Sequence, residues 1–310
     1  MLSRRKFITQ ATLASGALLV RPSFSHAADL AGGSRRLTIL HTNDTHSRIE
    51  PFPMDGGRNQ GLGGVAARSQ LVQKIRSEEE NVLLLDAGDI FQGTPFFNIY
   101  KGEPEIKAMT AMGYDAATIG NHDFDAGLEN LAVQLQRHAR FPMVISNYDF
   151  SQTPMENLYT PYKIFNKGGL KIGILGVGIE LNGLVPENLS GNTKYLHPVE
   201  KANQYADELK KKNCDLIICL SHLGYRYGDN KISDLILARE THHIDVIIGG
   251  HTHTFLEAPV IDKNKRGEDV IINQAGWGGI MLGRLDFVFE KKKGKKLVDS
   301  TSLVVSKKTD

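Results

Sequence analysis

Cysteine is nearly absent from this 310-residue chain: only Cys214 and Cys219 occur, five apart on one apolar run. Strand alternation is expected to point them to opposite faces, too far apart to bridge. A disulfide framework and a thiolate metal knot are therefore excluded, and the pair reads as two buried thiols. No apolar run is long enough to span a membrane, no low-complexity linker divides the chain, and no internal repeat is visible. An excess of charge is missing too, with 37 basic side chains against 35 acidic ones. Arg4, Arg5, Lys6 and Arg21 all lie in the first 27 residues, which hold no acid, so the remainder carries 33 basic groups and a net charge near −2. Such a balance gives no electrostatic reason to expect a nucleic-acid polymer or a membrane surface as partner.

The first residues have the composition of an export signal. Ser3-Arg4-Arg5-Lys6-Phe7-Ile8 is a charged head, residues 8–20 are mildly apolar, and Ser25-His26-Ala27 offers small residues for cleavage after Ala27. The paired arginines within that string resemble the signal of the twin-arginine (Tat) exporter. A signal peptide over 1–27 and a short linker over 28–35 are expected, with a periplasmic or otherwise extracytoplasmic destination. The rest is long enough for one large domain.

Strand-like and helix-like segments alternate along that domain. Apolar runs predict strands over 37–40, 82–85, 116–119, 143–146, 171–175, 216–220, 246–248 and 270–272. Helical periodicity appears over 64–77, 103–112, 127–140, 198–211 and 232–240. The alternation argues an α/β fold with much parallel pairing. Two alternating runs, 285–289 and 297–305, flank the lysine-rich stretch 291–296 and predict an antiparallel hairpin with a solvated turn. The glycines at 56, 57, 61, 63 and 64 lack the Gly-Lys-Ser/Thr ending of a phosphate-cradling loop and read as a loop feeding a helix, placed to rim a site.

Five of the predicted strands end in potential metal ligands. The first runs into His41-Thr42-Asn43-Asp44-Thr45-His46, the second into Asp86-Ala87-Gly88-Asp89, and the third into Gly120-Asn121-His122-Asp123. Two later ones run into Ser221-His222 and Gly249-Gly250-His251-Thr252-His253. Ligands gather beyond the carboxyl ends of strands in open α/β sheets. Oxygen and imidazole donors without thiolate suit Zn, Mn, Fe or Co in a catalytic site. Taken singly each has a duller reading, a satisfied core histidine or an aspartate in a turn, but five strand ends together do not.

In this order the motifs resemble the calcineurin-like metallophosphoesterases. The strings Gly88-Asp89-Ile90-Phe91-Gln92-Gly93-Thr94-Pro95, Gly120-Asn121-His122-Asp123-Phe124-Asp125-Ala126-Gly127 and Ala275-Gly276-Trp277-Gly278-Gly279 are similar to the catalytic domain of the 5′-nucleotidase branch. The resemblance covers roughly residues 36–290 and implies a catalytic domain over 36–310, built as two facing mixed sheets flanked by helices, a four-layer α/β/β/α sandwich. It implies two divalent cations, one on Asp44, His46, Asp89 and His253, the other on Asp89, Asn121, His222 and His251, with Asp89 bridging. It also implies phosphate contacts from Asn121 and His122, a catalytic role for the unligated His122, and Asp125 as the carboxylate that orients it. Asp125 has a competing reading as the N-cap of the helix from Gly127. The expected reaction is hydrolysis of nucleoside 5′-monophosphates or related nucleotides by a metal-bound hydroxide.

Other histidines read as structural: His41 alternates off Asp44, His242-His243 stands where it caps a helix dipole, and His138 and His197 look incidental. Asp123 occupies a position where the family often has Glu. Family 5′-nucleotidases carry a C-terminal nucleotide-specificity domain, and its absence here is an expectation drawn from length. The alternatives are broader phosphomonoester, phosphodiester or nucleotide-sugar hydrolysis, or a subunit that works with a separate nucleotide-binding chain.

Overall fold

The structure, a computed structural model, describes residues 34–290 and 294–307. The expected signal segment, most of the linker and the tip of the lysine-rich turn lie outside the described residues. In chain order the strands are β1 (Arg35–Thr42), β2 (Val82–Asp86), β3 (Ala116–Ala117), β4 (Met143–Val144), β5 (Tyr148–Asp149), β6 (Tyr159–Thr160), β7 (Tyr162–Lys167) and β8 (Leu170–Gly178). They continue with β9 (Lys194–Tyr195), β10 (Leu216–His222), β11 (Val246–Gly249), β12 (Val260–Lys263), β13 (Asp269–Asn273), β14 (Met281–Glu290) and β15 (Gly294–Val304).

Alternation along these strands builds the layers. Leu37 and Ile39 of β1 and Leu83 and Leu85 of β2 face inward, where they meet Ile172 and Ile174 of β8, Ile218 of β10 and Ile248 of β11. Leu40 and Leu84 turn the other way and pack under the helices Val65–Glu78, Glu103–Met112 and Leu128–His138. On the opposite side, Ile217 and Ile247 lie beneath Pro198–Lys211 and Asp234–Glu240. The four-layer α/β/β/α sandwich expected from the sequence is the observed architecture.

One sheet runs β15-β14-β1-β2-β3-β4-β6 and the other β12-β13-β11-β10-β8-β7. Parallel pairs make the centre of each, and antiparallel strands finish the edges: β14 and β15 on the first, β7 and β12 on the second. Because β1, β2 and β3 are mutually parallel, as are β10 and β11, each group releases its loops at one end. The sheets approach backbone to backbone at one point, where Ser146 N–H donates to the Gly176 carbonyl at 2.6 Å and Gly176 N–H to Ser146 Oγ at 3.1 Å. A Cβ at residue 176 would be driven into the Val144 carbonyl, so only glycine permits this contact.

Several local expectations need correction. β3 and β4 hold two residues each instead of four, because the chain leaves the ladder early to reach the loops beyond. The edge strands β7 and β12 have no predicted counterpart, since their half-exposed faces interrupt the apolar runs. Both cysteines are free and buried, but they share the layer under helix Pro198–Lys211 instead of facing opposite ways. Cys214 precedes β10, so strand alternation does not apply to it.

Candidate metal centre

Every residue expected at the site is brought to the released ends of the two parallel groups. Asp44 and His46 follow β1, Asp89 follows β2, Asn121 and His122 follow β3, His222 ends β10, and His251 and His253 follow β11. Asp44, His46, Asp89, His251 and His253 all adopt left-handed backbone, with φ of 48°, 47°, 55°, 72° and 53°. Each such non-glycine residue costs about 1–3 kcal/mol and persists only where its surroundings hold it. Here they are held by one another's loops: Asp44 N–H donates to the Gly88 carbonyl at 2.9 Å and His46 N–H to the Asp89 carbonyl at 3.1 Å. His251 N–H donates to Asp44 Oδ2 at 2.9 Å, and His122 N–H to Asp89 Oδ1 at 2.8 Å. At residue 250 a Cβ would lie 2.9 Å from His222 Nδ1 and 3.0 Å from Asp44 Oδ2, so glycine lets the last loop close on the first.

The side chains converge as two groups. Asp44, His46 and His253 form one and Asp89, His222 and His251 the other, each with candidate ligand atoms mutually within 4.8 Å. His46 Nε2 and His253 Nε2 face each other at 3.0 Å, and His253 Nε2 is 3.4 Å from Asp44 Oδ1. His222 Nε2 lies 3.0 Å from Asp89 Oδ2, and His46 Nε2 3.9 Å from the same oxygen, so Asp89 stands between the groups. Asn121 Oδ1 sits 2.8 Å from His251 Nδ1.

Charge and tautomer fit a cation. His222 Nδ1 is 2.7 Å from the Ala87 carbonyl and His46 Nδ1 is 3.1 Å from the Phe91 carbonyl, which assigns the proton to Nδ1 and turns each Nε2 lone pair inward. His222 Nε2 is fully buried without a hydrogen bond of acceptable geometry. Burial lowers the proton affinity of His46, and burial with His222 nearby lowers His251 to about 4, so both are neutral donors. Burial alone would raise Asp89, but His222, His46 and His122 outweigh it and hold the carboxyl well below its ordinary range. Burial would lower His222, and Asp89 and Asp44 reverse that, raising it to about 10, so the lone pair of its Nε2 is held for a positive charge, a proton or a metal ion in its place. Two buried carboxylates thus draw positive charge to one point, and the N/O donor set fits a divalent transition metal.

Residues 37–255 match the family model for calcineurin-like phosphoesterases. The chain belongs to that family. It is 36% identical over 288 residues to a snake venom 5′-nucleotidase of Gloydius brevicauda, covering 87% of this chain and 48% of that protein. It is 38% identical over 280 residues to the 5′-nucleotidase of Rattus norvegicus, covering 84% and 47%. Among solved structures, a 5′-nucleotidase precursor from Thermus thermophilus superposes with a TM-score of 0.79 at 35% identity, over 87% of this chain and 55% of that one. The Haemophilus influenzae NAD nucleotidase gives 0.78 at 28% identity, over 88% and 57%. The chain spans about half the length of the curated relatives it matches.

Beside this cluster, His122 Nδ1 lies 2.9 Å from Asp125 Oδ2, and that hydrogen bond raises the imidazole's proton affinity against the effect of burial. The alternative reading of Asp125 is not seen, because the following helix has Gly127 at its N-cap and no side-chain cap. His41 is buried away from the cluster, 3.1 Å from Asn273 Nδ2, and burial lowers it to about 4. His197, expected to be incidental, caps helix Pro198–Lys211 through Nδ1.

Four residues given no role from the sequence hold the site in place. Asn43 Nδ2 donates to Asp44 Oδ2 and to the Gly276 carbonyl, both at 2.6 Å, which ties the first motif to the Trp277 loop. Asp234 accepts from Ser221 Oγ at 2.6 Å and from Gln274 Nε2 at 2.9 Å, and the same Gln274 amide donates to the Gly250 carbonyl at 2.9 Å. Asp123 accepts from the backbone N–H groups of Asp89, Gly120, Ile90 and Phe91 at 2.8–3.1 Å. Burial beside Asp89 pushes the Asp123 carboxyl up, to about 7, and the amides pull against it.

An amide at residue 123 has one acceptor oxygen for these four donors and turns its own N–H groups toward the rest. Asp123→Asn is therefore expected to lower stability by about 1–3 kcal/mol in urea unfolding and to weaken metal binding by roughly 10–100-fold. Unchanged unfolding and metal retention would contradict this role.

Proposed function

We propose that the chain is an exported, dinuclear-metal-dependent phosphoesterase that hydrolyses nucleoside 5′-monophosphates or related nucleotides to nucleoside and phosphate. The observation that carries this reading is the convergence of Asp44, His46 and His253 with Asp89, Asn121, His222 and His251 as two adjoining groups, which the contacts of His46 and His222 with Asp89 join. Asp44, His46, Asp89 and His253 would hold one divalent cation, and Asp89, Asn121, His222 and His251 the other, with Zn, Mn, Fe and Co all suited to the donors. Such cations supply Lewis acidity and lower the pKa of water.

The remaining chemistry belongs to the chain. His122 is 38% exposed at the side chain and commits Nδ1 to Asp125, which leaves Nε2 to face a substrate phosphoryl group. As imidazolium it donates a hydrogen bond to phosphoryl oxygens and passes its proton to the leaving alkoxide. Asn121, beside it, offers its amide to the same phosphate. Trp277 stacks on His253 at 5.8 Å and 14° and meets Phe52 edge-on at 5.4 Å, forming an apolar rim. Groups that select the base are proposed to come from outside this cluster, from a further segment or a separate chain. Broader specificity, for dinucleotides, nucleotide sugars or simple esters, is the second reading, favoured by the likeness to an NAD nucleotidase.

Purified protein supplied with Mn2+ or Zn2+ is expected to turn over nucleoside monophosphates, read as nucleoside formed, faster than NAD or a nucleotide sugar, read as the monophosphates formed, or an aryl phosphate, read as the phenol released. Faster turnover of the last three favours the second reading, and no turnover of any contradicts both. His122→Ala is expected to keep its metal content and lose about 10²–10⁴-fold in kcat, whereas parallel loss of metal and activity contradicts the assigned role.

Export is proposed through the twin-arginine route, on the string Ser3-Arg4-Arg5-Lys6-Phe7-Ile8. Arg4→Lys with Arg5→Lys is expected to leave the chain in the cytoplasm with its leader attached, as fractionation would report. Undiminished export of that double variant points to the general secretory route instead.

A further inference from the structure

A third group of candidate ligands lies at the other end of β11. Asp207 is on helix Pro198–Lys211, and His242 and His243 lie just before β11, whose opposite end carries His251 and His253. β11 alone, at about 3.3 Å per residue, separates these histidines from the catalytic cluster. The expected capping of a helix dipole by His242-His243 is not what the side chains do. His242 Nε2 lies 2.9 Å from Asp207 Oδ1, and His243 Nε2 lies 3.8 Å from the same oxygen. The three ligand atoms fall mutually within 4.8 Å.

We propose that Asp207, His242 and His243 form a surface binding site for a late first-row divalent cation such as Zn2+, distinct from the catalytic cluster, that ties the helix to the entry of β11. Donors at about 2.0–2.1 Å from a tetrahedral zinc ion stand roughly 3.3 Å apart, a spacing that the observed 2.9 and 3.8 Å bracket. A plain hydrogen bond to Asp207 needs His242 alone. It leaves unexplained why His243, at φ 64°, is held in left-handed backbone with its Nε2 beyond hydrogen-bonding reach of the carboxylate but at ligand spacing from it. The scaffold around the pair is built: His242 N–H donates to Asn203 Oδ1 at 3.0 Å, and Asn203 Nδ2 donates to the Glu240 carbonyl at 3.1 Å. Asn203 and Asp207 are one helical turn apart, so both present to the same loop.

The charges nearby permit a cation. Lys210 and Arg266 face His243, and Arg266 is answered by Glu268 at 3.4 Å. Burial, His242 and these two cations lower the proton affinity of His243, which keeps the imidazole in its ligating form. All three side chains remain partly exposed, at 45%, 27% and 16%, so water completes the coordination.

Calorimetric titration with Zn2+ tests this on holoenzyme whose catalytic centre is already saturated with zinc. One further equivalent is expected, weakened by roughly tenfold or more in both Asp207→Asn and His243→Gln, while turnover and the far-ultraviolet circular dichroism stay unchanged. Cu2+ in the same site is expected to show electron-spin coupling to two imidazole nitrogens in the parent chain and one in His243→Gln. Absence of a further equivalent in the parent chain overturns the proposal, as does an equivalent that both variants retain.

Discussion

Buried negative charge at the junction of two sheets is the constraint on which the rest of the structure depends. Asp44, Asp86, Asp89 and Asp123 are buried within a few residues of the strand ends, and Asp234 is buried at the start of the helix between β10 and β11. A buried carboxylate is tolerated only when paired or fully hydrogen-bonded. Three of the five are answered by the protein: Asp86 by Thr42 and the Gly88 amide, Asp123 by four amides, Asp234 by Ser221 and Gln274. Asp44 and Asp89 also accept from Asn43, His251 and His122, but each keeps an oxygen turned toward imidazole nitrogens, and the His222 and His46 rings already commit Nδ1 to carbonyls. That arrangement asks for cations. It also accounts for the local strain, because five residues in left-handed backbone cost several kcal/mol between them. The packing of four layers offsets that cost.

Much of this was legible in the sequence because it follows from periodicity. Period-two alternation in residues 37–40, 82–85 and 216–220 defines inward and outward faces, and three separate apolar layers result. The ligand candidates were legible for a related reason: a strand of a parallel sheet delivers its last residues to one end, so polar residues after several such strands meet. The weaker predictions concern residues whose partners lie far away in the chain. Asp234 sits in the first turn of a helix, where an acid is unremarked, and only the fold puts it 2.9 Å from Gln274 Nε2. His242-His243 resembles a helix cap until helix Pro198–Lys211 presents Asp207 to it. Cys214 shares an apolar run with Cys219, yet β10 begins only at Leu216.

The site divides into a rigid floor and an accessible rim. Asp44, Asp89 and His222 have side-chain exposures of 1% or less, whereas His122, Asp125 and His253 are 31–42% exposed. The floor is cross-braced by Asn43, Asp123 and Gln274, so changes there disturb the donor set as a whole. In the proposed function, selection among phosphate esters would fall to the rim and to whatever binds over it.

The central claim is that the strand ends hold two cations with Asp89 between them. Anomalous X-ray diffraction from crystals loaded with Mn2+ measures this directly. Two peaks are predicted about 3.5–4 Å apart, both within bonding distance of the Asp89 carboxylate, one beside His46 and His253 and the other beside His222 and His251. A single peak at the cluster, or two peaks that Asp89 does not join, would contradict the account.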